Sequence, residues 1–306
     1  MPTYIIGDVQ GCYVSLMNLL ELAQVNESDQ VWLVGDLVNR GPRSLDVLRW
    51  AMKRSDQVQV VLGNHDLHLL ACVYGAKQGR GDTLTEVLES PDRDQLIEWL
   101  RAQPILFEAQ VSGRHVAMVH AGVNPQWSWA ETRRRARAIE SALQSEVGLS
   151  TLSSAHPTRK DRAKRQATQE SALNPVSSPH SLLGARELEW VRDLEWFTRV
   201  RALDADLKPA RRFKGGLVDL PPELTPWFQF YQEAREVEHA PDHLYFGHWA
   251  ALGLHTTSRY TALDSGCIWG RYLSAIRVED GAIFQTPTAE RALTPKHQRV
   301  SSAMKQ

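Results

Sequence analysis

The sequence predicts an α/β fold whose strands deliver metal-binding side chains to the rim of a sheet, and three observations predict it. Apolar strands run straight into a ligand-type residue at TYIIGD (Asp8), VWLVGD (Asp36), VVLGNHD (Asn64, His65) and HVAMVH (His120), and the pattern returns much later at HLYFGH (His248). Amphipathic helical stretches separate the early strands, as βαβ connections require. Strands ending in Asp, Asn and His place those groups along one rim of a sheet, where ligands converge without interrupting the hydrogen-bonded ladder.

The elements follow in order. VSLMNLLELA after the first motif and RSLDVLRWAMKR after the second carry helical periodicity. A helix over residues 66–74 opens directly on GNHD and would aim backbone N–H groups at a bound phosphate. TLTEVLE and RDQLIEWLRAQ give two further helices, closed by Pro104. After Trp129, ETRRRARAIESALQSEV reads as a helix with a strongly basic face. The segment STLSSAHPTRKDRAKRQATQESALNPVSSPHS is rich in Ser, Pro, Lys and Arg, and reads as a solvated insertion rather than a nucleic-acid-binding arm. Helical periodicity resumes in ARELEWVRDLEWFTRVRAL, placing Arg199 and Arg201 on one helix, and a Pro-rich turn follows at LPPELTPWF. YTALDSGCIWGRYLSAIRVEDGAIFQT alternates apolar and polar residues around Asp-Gly, as antiparallel strands with a hairpin do. The pattern is that of a single domain over residues 1–290, with a helical and flexible insertion at about 130–195 and a frayed tail at 291–306.

At 306 residues and 42% hydrophobic, the chain suits one large domain better than two, because the candidate ligands run from Asp8 to His248. The formal net charge of −1 supplies no global positive field for DNA or an anionic membrane, so a polyphosphate must be held by local arginines and metal. Cys12, Cys72 and Cys267 are odd in number and lack a CxxC pair, which argues against a disulfide framework and a zinc finger and for a reducing compartment. Met1 leads straight into a strand, with no basic n-region and no run long enough to span a bilayer. A soluble, cytoplasmic monomer is expected.

Asp8, Asp36, Asn64, His120 and His248 are oxygen and nitrogen donors suited to Mn²⁺, Co²⁺, Fe or Zn²⁺. Their number favours a pair of metals over one. Two metals about 3.5–4 Å apart share a carboxylate and a bridging hydroxide and clamp a phosphoryl group for in-line attack, which predicts hydrolytic phosphoryl transfer. His65, beside Asn64, lies next to the metals without needing to bind one, and a protonated imidazole there supplies a proton to a departing phosphate oxygen. Arg40 in GDLVNRGP and Arg199 and Arg201 in FTRVR carry guanidinium forks that match phosphate oxygens. Trp127, Trp249 and Trp269 invite base stacking, with packing expected for at least two of them. His68, His115, His239, His243 and His255 read as structural or surface residues, and Cys12 and Cys267 as packing residues.

The ordered set GDVQG, GDLVNRGP, GNHD, VHAG and FGHW resembles the calcineurin-like metallophosphoesterases. Within them, GDVQGCY, NRGPRSLDVLR, VLGNHDLHLLA, LRAQP, HAGVNPQW, FTRVR, FGHWA and ALDSGCIWG are similar to the symmetrical bis(5′-nucleosyl)-tetraphosphatases, over roughly residues 1–130 and 196–285. The resemblance implies an α/β/β/α sandwich of two packed mixed sheets flanked by helices, a dinuclear metal centre, and cleavage of diadenosine tetraphosphate into two ADP. Matched by motif, Asp8 and Gln10 would bind a first metal, Asn64, His120 and His248 a second, and Asp36 both. The same matching makes His65 the general acid and puts Arg40 and Arg199 on phosphate oxygens, and Arg201 and Trp269 are expected to bind substrate beside them.

Three departures stand out. Gln10 replaces the His usual in the superfamily, and an amide oxygen is a weaker donor than imidazole for borderline metals. Asn39 stands where protein-phosphatase relatives carry an Asp that orients the catalytic His, which points away from phosphoprotein substrates. Residues 150–185 lack the Tyr-Gly, Pro and Trp pattern of the tetraphosphatases. Alternatives are a phosphomonoester phosphatase of the same superfamily, a hydrolase of RNA 5′ caps that uses the same bond chemistry, and a catalytically weak nucleotide-binding protein in which Gln10 has weakened the first metal site.

Overall fold

The computed structural model describes residues 1–155, 185–233 and 240–290, so residues 156–184 of the expected insertion, the tail and His239 lie outside the described residues. Strand β1 (Thr3–Ile6), helix α1 (Tyr13–Leu22), β2 (Gln30–Leu33), α2 (Ser44–Lys53) and β3 (Val58–Val60) repeat the strand–helix unit read from the sequence. Helices α3 (Asn64–Val73), α4 (Thr85–Leu88) and α5 (Arg93–Arg101) lead to an antiparallel pair, β4 (Leu106–Val111) and β5 (Arg114–Val119). Then come α6 (Trp129–Leu143), α7 (Glu146–Ala155), α8 (Ala185–Arg199), β6 (Ala202–Leu203), β7 (Thr225–Pro226) and α9 (Trp227–Glu233). The chain closes with β8 (His243–Phe246), β9 (His255–Thr256), β10 (Tyr260–Ala262), β11 (Tyr272–Arg277) and β12 (Ile283–Pro287).

Two five-stranded mixed sheets result, ordered β12-β11-β1-β2-β3 and β4-β5-β8-β10-β9. Side chains on alternate sides of a strand explain the layering. In β1, Ile5 points into a core shared with Trp32, Val61, Met118, Tyr245 and Leu263, drawn from both sheets, whereas Ile6 joins the larger core under the helices. Trp32 and Phe107 meet edge-on across that inter-sheet layer, with centroids 4.9 Å apart. The α/β/β/α sandwich is thus present. Because β1 is paired on both edges and covered on both faces, all four of its residues are buried, which accounts for the lack of apolar–polar alternation in Tyr4–Ile6.

Four details differ from the sequence reading. The ligand-bearing strands belong to two sheets rather than one. Strand β10 pairs parallel with β8 in the second sheet, so only β11 and β12, joined through Asp280-Gly281, form the expected hairpin. Helix α8 ends at Arg199, leaving Arg201 in the following loop. Helix α7 runs into the stretch read as a solvated insertion, because Thr151 and Leu152 extend a buried face begun by Leu149. The basic face of α6 is neutralised locally: Arg133 pairs with Glu108, Arg135 with Glu131 and Asp193, and Arg137 with Glu140. Cys12 and Cys267, far apart in sequence, come together with Glu290, which caps α1 by accepting from the N–H groups of Val14 and Ser15. Among the described residues no helix is long and apolar enough to cross a membrane.

Candidate metal centre

The parallel strands of the first sheet end in Asp8, Asp36 and the Asn64–His65 pair, and those of the second in His120, His248 and Asp264. The carboxyl ends of the two sheets meet, and the loops leaving them form the site. The motif glycines permit this crowding. A Cβ on Gly63 would lie 2.2 Å from Asp36 Oδ1, and one on Gly247 would lie 2.1 Å from Asp8 Oδ1. Left-handed backbone concentrates here too, with Gln10, Asp36, Asn39, Arg40 and His248 all at φ between 46 and 74°. Strain of this kind persists where surrounding contacts over-determine it.

The histidine tautomers follow from their outer hydrogen bonds. His120 Nδ1–H donates to the Val34 carbonyl at 2.8 Å, which leaves a lone pair on Nε2. That buried Nε2 has no hydrogen-bond partner and lies 3.4 Å from Asp36 Oδ1. His248 Nε2–H donates to the Arg199 carbonyl at 3.1 Å, so its Nδ1 lone pair faces the Asn64 amide. With its nitrogen turned inward, Asn64 donates to that Nδ1 at 2.8 Å and to the Thr198 carbonyl at 3.2 Å. Turned over, the amide sets its oxygen against the same nitrogen, an opposition of lone pairs that a cation reconciles. Asp8 accepts from the His248 N–H at 3.0 Å, and Gln10 Nε2 donates to Asp36 Oδ2 at 3.3 Å.

Ligand atoms of Asp8, Asp36 and His120 lie within 4.8 Å of one another, all buried. Burial, then the charges of Asp264 and Asp36, hold Asp8 well above the usual carboxylate range. Burial pushes Asp264 up to about 6, and burial with the Asp36 charge pushes Asp66 up to about 8. Crowded buried carboxylates beside an orphaned imidazole nitrogen call for positive charge, and oxygen and nitrogen donors of this kind suit a divalent ion. The residues present fit a metal centre.

Beside it lies His65. Asn39 Oδ1 accepts from the N–H groups of Arg40 at 2.8 Å and Thr83 at 3.1 Å, so the amide nitrogen is the atom that faces His65 Nδ1 at 3.1 Å. Nδ1 therefore accepts, and the ring hydrogen sits on Nε2, 3.9 Å from Asp36 Oδ2. Burial foremost, followed by the charges of Arg40 and Arg199, outweighs the pull of Asp36 and lowers His65 to about 4. Burial and the Asn39 contact thus favour a neutral ring with its hydrogen on Nε2 over the protonated imidazole expected from the sequence.

The arginines are placed differently from one another. Arg40 Nη1 donates to the Gly81 carbonyl at 3.0 Å and lies 3.6 Å from Asp82. Arg201 Nη2 donates to the His248 carbonyl at 3.3 Å, and burial lowers its guanidinium to about 10. Arg199 is close enough to depress His65, His120 and His248 together. Trp269 is half-buried against the helix-covered core, Trp249 is buried with its Nε1 donating to the Gly215 carbonyl at 2.8 Å, and Trp127 packs edge-on against Trp196.

Sequence reasoning missed Asp66, Asp82 and Asp264. Asp66 accepts from the N–H groups of Asp36, Leu37 and Gly63 and so fixes the turn that presents Asp36. A signal for Asp264 existed, since YTALD is another apolar strand ending in a carboxylate. Asp82 sits in a loop with no strand or helix period to betray it.

Residues 1–191 match the family model described as Calcineurin-like phosphoesterase. The chain belongs to that family. Its relatives include proteins named "Bis(5'-nucleosyl)-tetraphosphatase, symmetrical". The one from Methylobacillus flagellatus is 40% identical over 289 residues, covering 94% of this chain and 95% of its own. The one from Cellvibrio japonicus is 41% identical over 288 residues, covering 93% and 98%. The solved structure named "Crystal structure of a putative diadenosine tetraphosphatase" shares the fold, with a TM-score of 0.55 at 23% identity over 94% of this chain and 93% of that one.

Proposed function

We propose that this chain is a metal-dependent hydrolase that splits diadenosine tetraphosphate symmetrically into two ADP. The observation that carries the reading is the Asn39 amide donating to His65 at 3.1 Å beside the convergent metal-type donors. Two divalent ions, one held by Asp8, Gln10 and Asp36 and the other by Asp36, Asn64, His120 and His248, would supply Lewis acidity and lower the pKa of an attacking water. Mn²⁺ and Co²⁺ suit this oxygen-rich set best, with Fe and Zn²⁺ behind them. Asp36 would be the ligand common to both ions, a role supported by its two oxygens facing His120 and Gln10 respectively.

His65 offers its Nε2–H to the departing oxygen. ADP leaves as a phosphate, a weak base that a hydrogen bond from a neutral ring stabilises, whereas an alkoxide from a serine ester requires a full proton. A His held by an amide therefore suits anhydride cleavage over phosphoprotein cleavage. Arg40, Arg199 and Arg201 clamp phosphate oxygens, and Trp269 borders the nucleoside. RNA 5′ ends capped through the same anhydride present the same bond. Three free thiols accord with a cytoplasmic setting.

The test is to incubate the metal-reconstituted protein with diadenosine tetraphosphate and identify the products. ADP alone supports the reading, ATP with AMP replaces symmetric by asymmetric cleavage, and faster turnover of phosphoserine peptides than of the dinucleotide overturns it.

A further inference from the structure

Behind Asn39 stands a carboxylate that the metal chemistry does not use. Asp82 is buried to 3% side-chain exposure, although it lies in a loop at residues 79–83 rather than on a strand or helix. Its Oδ1 accepts from Asn39 Nδ2 at 3.1 Å and lies 3.6 Å from Arg40 Nη1, while Oδ2 meets His68 Nε2 at 2.7 Å. The backbone of the same loop completes the arrangement, because Thr83 N–H donates to Asn39 Oδ1 and Gly81 presents its carbonyl to Arg40.

These contacts use the full capacity of the Asn39 amide. Its oxygen takes two N–H groups, and its nitrogen has two hydrogens, one for Asp82 and one for His65. A carboxylate can only accept, so Asp82 holds the nitrogen end of the amide while the Arg40 and Thr83 N–H groups hold its oxygen, and together they forbid the inverted form. Once the amide is fixed, His65 Nδ1 must accept and its hydrogen must sit on Nε2. We infer that Asp82 is a positioning residue which acts through Asn39 to select the Nε2–H tautomer of His65 and which directly holds Arg40 toward the phosphate chain. The inference rests on the roles proposed above for His65 and Arg40.

The experiment compares Asp82→Asn, Asn39→Ala and the double variant in the Zn²⁺-loaded, diamagnetic protein, reading the His65 ring ¹⁵N signals by NMR and kcat and KM on diadenosine tetraphosphate. In the native protein His65 should be a single Nε2–H tautomer. Asp82→Asn leaves only the Arg40 and Thr83 N–H groups to hold the Asn39 amide and replaces an obligate acceptor with a side chain that can also donate, so the preference of His65 for the Nε2–H tautomer should weaken measurably, with kcat down about 10–100-fold, the range typical of groups that orient a site from behind. Asn39→Ala should give the same ring signature, and the double variant should lose little more than either single one, because both cut one connection. Asp82→Glu restores the charge and should recover part of kcat. An unchanged His65 tautomer in Asp82→Asn, or losses that simply multiply in the double variant, would overturn the inference. If Asp82→Asn does not fold, an unchanged tautomer in Asn39→Ala overturns it equally. The ring signals do not depend on which phosphate compound is cleaved, so failure of the substrate reading leaves this readout intact.

Discussion

The unprotonated Nε2 of His120 faces Asp36 Oδ1 across 3.4 Å, with no hydrogen available to join them. Two sets of lone pairs so close, both buried, repel unless a cation lies near. Asp36→Asn removes half of that arrangement and lowers the negative charge available to two ions at once. Loss of bound metal and of activity together is expected. Elemental analysis showing two tightly held metals in the variant would contradict the bridging role.

His65 gives the opposite prediction, because its Nδ1 is taken by Asn39 and its Nε2 carries the hydrogen, so neither ring nitrogen is offered to a metal. His65→Asn should keep the metals and the fold while slowing hydrolysis by about 10²–10⁴-fold, the usual contribution of a proton-handling side chain. Near-normal kcat in the metal-loaded variant would remove His65 from the chemistry.

Much of this site was legible before the fold was known, and the reason is local. Asp8, Asp36, Asn64, His120 and His248 each end an apolar strand, and a strand's buried run announces where its rim begins. What sequence alone did not disclose came from two other sources. Which sheet a strand joins depends on pairings between distant segments, so the convergence of β5, β8 and β10 with β1, β2 and β3 on a shared rim was not visible in any window of the chain. Nor was Asp82, since a loop residue acquires meaning only from the side chains that fold around it. The state of the His65 ring is hidden from sequence for the same reason: burial and the Asn39 amide, both consequences of tertiary structure, favour its neutral form.

The ion pair of His68 with Asp82 should make stability depend on pH in a definite direction. Burial opposes charge on His68, but the hydrogen bond to Asp82, with the Cys72 thiol contact adding, outweighs it and raises the ring from 6.5 to about 9. A group whose pKa is higher folded than unfolded stabilises fully below the unfolded value and loses that contribution as pH rises through the folded one. The Tm of the native protein should therefore fall more steeply between pH 6.5 and about 9 than that of His68→Gln. Parallel curves for the two proteins would show that the pair contributes nothing that titrates in this window.

Gln10 stands where the resemblance led us to expect His, and its geometry sharpens what a Gln10→His exchange should do. Its nitrogen donates to Asp36 Oδ2 at 3.3 Å, which leaves the amide oxygen as its only donor atom for a metal. Its backbone is already in the left-handed region at φ 46°, a strain that imidazole at the same position would share. Gln10→His keeps the formal charge of the site but exchanges a harder oxygen for a borderline nitrogen, and it removes one hydrogen bond from Asp36. Metal preference should move more than fold stability: Mn²⁺ should serve the native protein best, and the His variant should gain affinity for Co²⁺ or Zn²⁺ relative to Mn²⁺. Titration of both proteins with each ion, read by calorimetry alongside turnover, measures the shift. Identical relative affinities would mean that Gln10 lines the pocket as a hydrogen-bond partner of Asp36, and that the first metal is held by the aspartates and water.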